Sequence, residues 1–397
     1  MSTLDGIRVL DLTHVYAGPF CAHQLGVMGA EVIKIEPVGR PDMTRETGAR
    51  DDLSDQGLGL GFVAQGAGKQ AIALDLTTPA GKDVFRKLVK SADVLVQNYA
   101  TACLEKLGLL PEQLQSVNPK LICCSISGFG RTGPKADHPA YDVVIQAFTG
   151  VMASNGEADS PPVRVGPPII DYGTGAQAAL AICAALFARE RTGKAEVLDI
   201  AMSDCALMLM TANVVTANAT GQAPVPHGNR DPGLATYSAY PTAEGTVMLG
   251  AFTVTQAANL MAALGNDQAA SEIRQLHVRD MPNRRDQDEA FLREKLATNS
   301  AQHWEDLLNA AHVPAARIRT LDEALTHPQF ASRNVIQEVE VAGEPIGFPV
   351  AGFDMASASP APSGVPREYG ADTDEVLASL GYSDADIAGM RRELSIA

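Results

Sequence analysis

Between Ile7 and Ile200 short apolar runs alternate with segments of helix length, and that rhythm admits few folds. Ile7–Leu12 (IRVLDL) reads as a buried strand, Pro19–Gly29 as a helix with proline at its start, and Glu31–Glu36 (EVIKIE) as the next strand. Ala71–Leu76, Asp93–Gln97, Leu121–Ser127 and Glu196–Ile200 read as further strands. Helices are predicted over Pro79–Ser91, Tyr141–Ala153 and Gly173–Arg189, and a long apolar one over Ser203–Ala219. Such repetition predicts an α/β fold around a mostly parallel sheet. Gly221–Gly233 (GQAPVPHGNRDPG) breaks the pattern and reads as a linker. A hairpin over Ser238–Ala251, turning at Glu244-Gly245, and helices over Gln256–Leu264 and Glu289–Asn299 then predict a smaller α+β domain, residues 221–330. The tail holds a strand at Val335–Ala342, a Pro/Ser-rich stretch and a closing helix near Asp384–Glu393.

Composition narrows the partners. A formal charge of −16 over 397 residues opposes binding to nucleic acid or an anionic membrane. Any polyanionic ligand must then find local cations or helix N-termini. Six cysteines without a CxxC suggest buried, reduced thiols. The start MSTLDG has neither a basic nor an apolar leader region, and the longest apolar runs fall short of a membrane span. These features lead to the expectation of a cytoplasmic protein.

Several familiar motifs fail on context. Gly128-Phe-Gly130-Arg-Thr-Gly133 matches GxGxxG, but Pro134 and Pro139 prevent the helix that a dinucleotide pyrophosphate requires. Gly66-Ala-Gly68-Lys69 lacks the rest of a P-loop, no GxSxG elbow is present, and the eight histidines do not cluster as metal ligands. The segment Pro167-Pro-Ile-Ile-Asp171-Tyr-Gly173-Thr-Gly175 sets a carboxylate at a predicted helix start. Asp171 there is either an N-cap or an ionised nucleophile beside glycines that admit a substrate. Patterning alone leaves both open.

Longer stretches carry more. LDGIRVLDLTHVYAGPFCAHQLGVMGAEVIKIE, DVLVQNY, SISGFGRTGP, YDVVIQAFTG, VGPPIIDYGTG, GNRDPGLATYSAYPTAEG and DTDEVLASLGYSDADI occur in that order. With them the chain resembles the class III CoA-transferases, the family of formyl-CoA transferase, carnitine CoA-transferase and α-methylacyl-CoA racemase. The resemblance implies a Rossmann-like large domain built from residues 1–220 and 331–397, a small domain over 221–330, and an interlocked homodimer. It implies Asp171 as nucleophile, with aspartyl anhydride and aspartyl-CoA thioester intermediates and nearby glycines as oxyanion donors. Acyl-CoA and a free carboxylic acid would be the substrates, with no permanently bound cofactor and no metal. For CoA it implies His14, Val15, Leu74, Asn98 and Tyr99, with Lys106 where relatives often carry arginine. Arg40 would compensate for Pro37, which replaces a basic residue of some relatives. Thr77 stands where formyl-CoA transferase has lysine.

The racemase branch carries a histidine where this chain has Tyr141, a poor base at neutral pH, although His138 lies nearby. Transferase is therefore the expectation. The alternatives are a racemase and a non-catalytic acyl-CoA binder. No tetraglycine loop of the oxalate/formate kind is visible; Arg230 or Arg164 could pair with the second carboxylate of a dicarboxylic acceptor.

Overall fold

The computed structural model describes residues 2–397, which divide into two compact units. The larger contains residues 2–151, 164–223 and 330–397; the smaller contains 152–163 and 224–329.

In the larger unit the strands are β1 (Arg8–Leu12), β2 (Glu31–Glu36), β3 (Lys69–Ala73), β4 (Val94–Gln97), β5 (Ile122–Ser127) and β6 (Val197–Ala201). Among the described residues they form one parallel sheet, ordered β3-β2-β1-β4-β5-β6. Parallel neighbours need crossovers, so helices cover both faces. α1 (Ala17–Val27), α2 (Pro79–Ser91), α3 (Thr101–Leu107), α4 (Asp142–Thr149) and α5 (Ile169–Thr192) supply most of the cover before β6. Cys21, Leu25, Ala178 and Ile182 pack with Val9 and Val94 on one face; Val84, Phe85 and Leu88 pack with Leu10 and Ile33 on the other. Val376, Leu377 and Ile387 from the tail join that second core. The tail also satisfies edge strand β3. Asp372 accepts the Ala71 N–H at 2.8 Å, and Thr373 Oγ1 accepts that of Ala73 at 3.2 Å.

Two helices differ from expectation. α5 runs 24 residues and begins before Asp171 rather than after it. It is long and apolar enough to cross a membrane by length and composition, contrary to the sequence reading, yet half of its most apolar stretch is buried inside the protein. Gly175 allows that packing: a Cβ there would lie 2.5 Å from the Ala17 carbonyl oxygen of α1. The single helix expected over Ser203–Ala219 is two, α6 (Met202–Leu209) and α7 (Thr211–Thr220), because Met210 leaves helical geometry (φ −95°, ψ 21°). The tail strand Ile336–Val341 pairs antiparallel with Glu344–Pro349, a partner not expected from a sequence with prolines at its second and last positions.

The smaller unit carries an antiparallel sheet of Ala239–Pro241, Thr246–Leu249 and Ala315–Arg317. Its core surrounds Trp304, whose indole N–H donates to the Leu296 carbonyl at 2.8 Å.

Charge is buried inside the parallel sheet. Lys69 Nζ donates to Asp11 Oδ2 at 2.7 Å and to the Pro19 carbonyl at 2.8 Å. Lys34 Nζ donates to the Thr13 carbonyl at 2.8 Å and lies 3.3 Å from Asp42. Arg45 forms a forked pair with Glu36, the shortest contact being 2.7 Å. Burial alone would raise the Asp11 carboxyl, but Lys69 and Lys34 outweigh it and hold it at about 2. Its stabilisation is present above the ordinary carboxylate range and is lost as pH falls toward 2. Replacing Lys69 with methionine strands Asp11 in the sheet and is expected to cost about 3–5 kcal/mol in urea unfolding at pH 7. His23 on α1 is buried between Phe20 and Phe348, and neither ring nitrogen has a partner among the described residues. Burial, aided by Lys69, pushes it down to about 3. Between about pH 6.5 and 3 the unfolded chain therefore binds the extra proton, and stability falls as pH falls. His23→Leu should flatten that part of the stability–pH curve, measured by urea midpoint.

Candidate active site

Strand order reverses beside β1, and ligands of such sheets bind beyond the carboxyl ends of the strands at that point. The loop after β1 is tightly held there. The His14 N–H donates to Asn98 Oδ1 at 3.1 Å, and Asn98 Nδ2 returns a bond to the His14 carbonyl at 2.9 Å. Val15 has φ 72°, unusual for a β-branched residue. Its N–H points to the Asp42 carboxylate at 3.2 Å, and its carbonyl accepts from Gln65 Nε2 at 2.5 Å. Side chains on both sides thus over-determine a strained backbone, a pattern that recurs at functional sites.

Two cavities open around this loop and share His14 and Tyr99 in their walls. One, of about 600 Å³, runs past Leu74, Thr77, Pro37 and Arg40. The other, of about 350 Å³, is bordered by Val15, Tyr16, Asn98, His138, Tyr141 and Asp171. The structure therefore brings His14, Val15, Arg40, Leu74, Asn98, Tyr99, Tyr141 and Asp171 into one connected region. Lys106 is exposed on α3 and lines neither cavity; the turn of α3 presents Cys103 and Leu107 instead. Arg164 is exposed. Arg230 belongs to the smaller unit, where Nη2 binds both oxygens of Glu289 at 2.9 Å. Glu36 ends β2, where dinucleotide sites hold a ribose, but its carboxylate is taken up by Arg45 and the Asp42 N–H.

Asp171 occupies the first turn of α5 and is 7% exposed. Among the described residues no donor is bonded to its carboxylate. The orphan N–H groups of that turn go elsewhere. Asp142 Oδ2 accepts from Ile170 at 2.7 Å and from Asp171 at 3.2 Å. Sequence gives Asp142 no role of its own; its place beside Tyr141 in YDVV was the available signal. Asp171 is thus not an N-cap, and it is not held ionised by helix N–H groups. Burial, reinforced by Asp142, raises its carboxyl to about 7. Gly173 and Gly175 lie inside the helix, and Gly175 serves packing against α1. The sequence reading assumed that a helix start offers free donors to any nearby carboxylate, but a second carboxylate has taken them. Burial also pushes Tyr99 up to about 12 and lowers His14, where Asp42 opposes the shift and Lys34 assists it.

A parallel sheet whose switch point opens into two adjoining cavities, one with a buried carboxyl on its wall that no donor among the described residues bonds, is the arrangement of an α/β ligand-binding domain. More specifically, the chain belongs to CoA-transferase family III, whose model matches residues 4–373, and it is an enzyme of the CoA-transferase type. It is 36% identical to the acetyl-CoA:oxalate CoA-transferase of Acetobacter aceti, over 88% of this chain and 90% of that protein. It is 34% identical to the succinyl-CoA:mesaconate CoA-transferase of Haloarcula hispanica, over 92% and 93%. A crystal structure of a CaiB/BaiF family protein from Brucella suis superposes with TM-score 0.82 at 30% identity, covering 96% of this chain and 99% of that one.

A carboxyl raised in the folded state stabilises below its unfolded value, near 4, and that contribution is lost as pH climbs through about 7. Asp171→Asn should therefore gain stability over wild type as pH rises from about 4 to 8, by up to about 4 kcal/mol. Thermal and urea unfolding across that range check the sign.

Proposed function

We propose that this enzyme moves CoA from an acyl-CoA thioester to a small dicarboxylic acid, with Asp171 as nucleophile. The observation that carries the reading is the Asp171 carboxylate, buried, free of bonded donors and on the cavity wall. An ionised Asp171 oxygen attacks the thioester carbon, the C–S bond breaks, and a mixed anhydride forms with release of CoA thiolate. The thiolate attacks the aspartyl carbon of the anhydride, expelling the donor acid and leaving an aspartyl-CoA thioester. The acceptor carboxylate attacks that carbon in turn, breaking its C–S bond, expelling CoA thiolate and forming a second anhydride. The returning thiolate then takes the acceptor's acyl group and restores Asp171. Each step exchanges one carboxylate or thiolate for another, so no proton is consumed and four easier exchanges replace one hard one.

The larger cavity suits the nucleotide and pantetheine parts of CoA. Arg40, exposed at its edge and in no ion pair among the described residues, suits a phosphate against the overall charge of −16. His14, Val15, Leu74, Asn98 and Tyr99 would follow the pantetheine, and Tyr141 would border the acyl group. Lys106 is a weaker candidate. The relatives' names support a dicarboxylate acceptor: oxalate, mesaconate and, for a 35% identical protein of Agrobacterium fabrum, glutarate with succinate. Arg230 or Arg164 would pair with its second carboxylate. A cytoplasmic homodimer is part of the same reading, supported by the exposed apolar residues Leu180, Phe187 and Val215 along α5 and α7.

Acyl-CoA followed by hydroxylamine should shift the mass of the Asp171 peptide, and Asp171→Ala should lower CoA exchange at least about a thousandfold. Unchanged exchange in that variant removes the nucleophile. Arg40→Ala should raise KM for acyl-CoA about tenfold, equivalent to about 1.4 kcal/mol, with kcat little altered. Arg230→Ala should lose activity with dicarboxylic acids and keep it with monocarboxylic ones, by initial rates on both classes.

A further inference from the structure

Two carboxylates meet at the start of α5, and the chemistry above uses only one. Asp142 begins α4 and is buried. Its Oδ1 accepts from Gln146 Nε2 at 2.5 Å, and Gln146 is itself fixed by the Val165 N–H at 2.9 Å. Its Oδ2 takes the N–H groups of Ile170 and Asp171. Pro168, at the N-cap position of α5, has no side-chain oxygen to serve them. An aspartate in a first helical turn ordinarily gains by staying near such donors. Here they are spoken for.

We infer that Asp142 is the positioning residue of this site: it caps α5 from a neighbouring helix, fixes the turn that carries Asp171, and so leaves the Asp171 carboxylate unpaired and available to substrate. The inference rests on the reading of Asp171 as nucleophile. It also has an electrostatic side. His14 and Tyr16 face the same cavity from the loop after β1, Tyr99 from the loop after β4, Asp137 and His138 from the loop after β5, and Tyr141 from the head of α4. Neither lysine nor arginine lines it, so nothing permanently cationic on its wall offsets Asp142. Asp171 is discharged equally by a proton, an acyl group or a CoA thioester. Burial, reinforced by the Asp142 charge, makes it hold a proton up to about pH 7, and both therefore favour its acylation as well.

Two variants separate charge from geometry. Asp142→Asn keeps an oxygen for the helix N–H groups and removes the charge; Asp142→Glu keeps the charge. With acyl-CoA and no acceptor acid, the hydroxylamine-sensitive fraction of the Asp171 peptide should fall at least fivefold in Asp142→Asn. The acid limb of its kcat–pH profile should move down by one unit or more, while KM for acyl-CoA stays within twofold. Asp142→Glu should keep the limb within half a unit of wild type. Absence of any label on wild-type Asp171 overturns the nucleophile reading, and this inference with it. A label in wild type that is equally strong in folded Asp142→Ala, which removes cap and charge together, with an unmoved acid limb, overturns the role of Asp142 alone. Should Asp142→Ala fail to fold, the wild type decides. An Asp171 titration followed by carbon-13 NMR must then lie near 7, and a midpoint of 5 or below overturns the inference.

Discussion

The contact between Lys34 and the loop after β1 is the interaction on which the rest of the site depends. Lys34 reaches out of the sheet to the Thr13 carbonyl and to Asp42, and Asp42 in turn holds the Val15 N–H. Remove that tie, and Val15 has little reason to keep a positive φ, nor His14 to stay paired with Asn98. Lysine is rarely buried in a sheet, and here it is matched at once. Lys34 and Lys69 share Asp11, while Arg45 takes Glu36. Each charge lost from water regains a partner at short range, and the cavity thereby acquires a rigid floor.

The same economy appears at α5, where two carboxylates of similar chemistry have different tasks because their surroundings differ. Asp142 is satisfied by three donors and serves as structure. Asp171 has burial and a like-charged neighbour but no donor, and it is correspondingly hard to ionise. The side chains are the same, so the contrast between them comes from their surroundings.

Much of this was legible in the chain. The parallel strands announce themselves as short β-branched runs, and β2 and α2 fall on the expected residues. The break at Met210 was not legible, since Met202–Thr220 holds neither glycine nor proline and a change of backbone angle leaves no mark there. The strand Glu344–Pro349 hides behind its two prolines, which an edge strand tolerates. Lys106 looked suitable by position, yet the turn of α3 sends its neighbours Cys103 and Leu107 to the cavity instead. Facing is a property of packing, and a lone cation in a mixed segment does not reveal it.

By itself the sequence determined the alternation of strands and helices, the overall acidity, and a carboxylate at the head of an apolar helix, because each is a matter of local order and composition. Tertiary structure alone decided that this carboxylate is unpaired. Its competitor for the helix N–H groups, Asp142, stands 29 residues earlier on another helix, and only folding brings the two together.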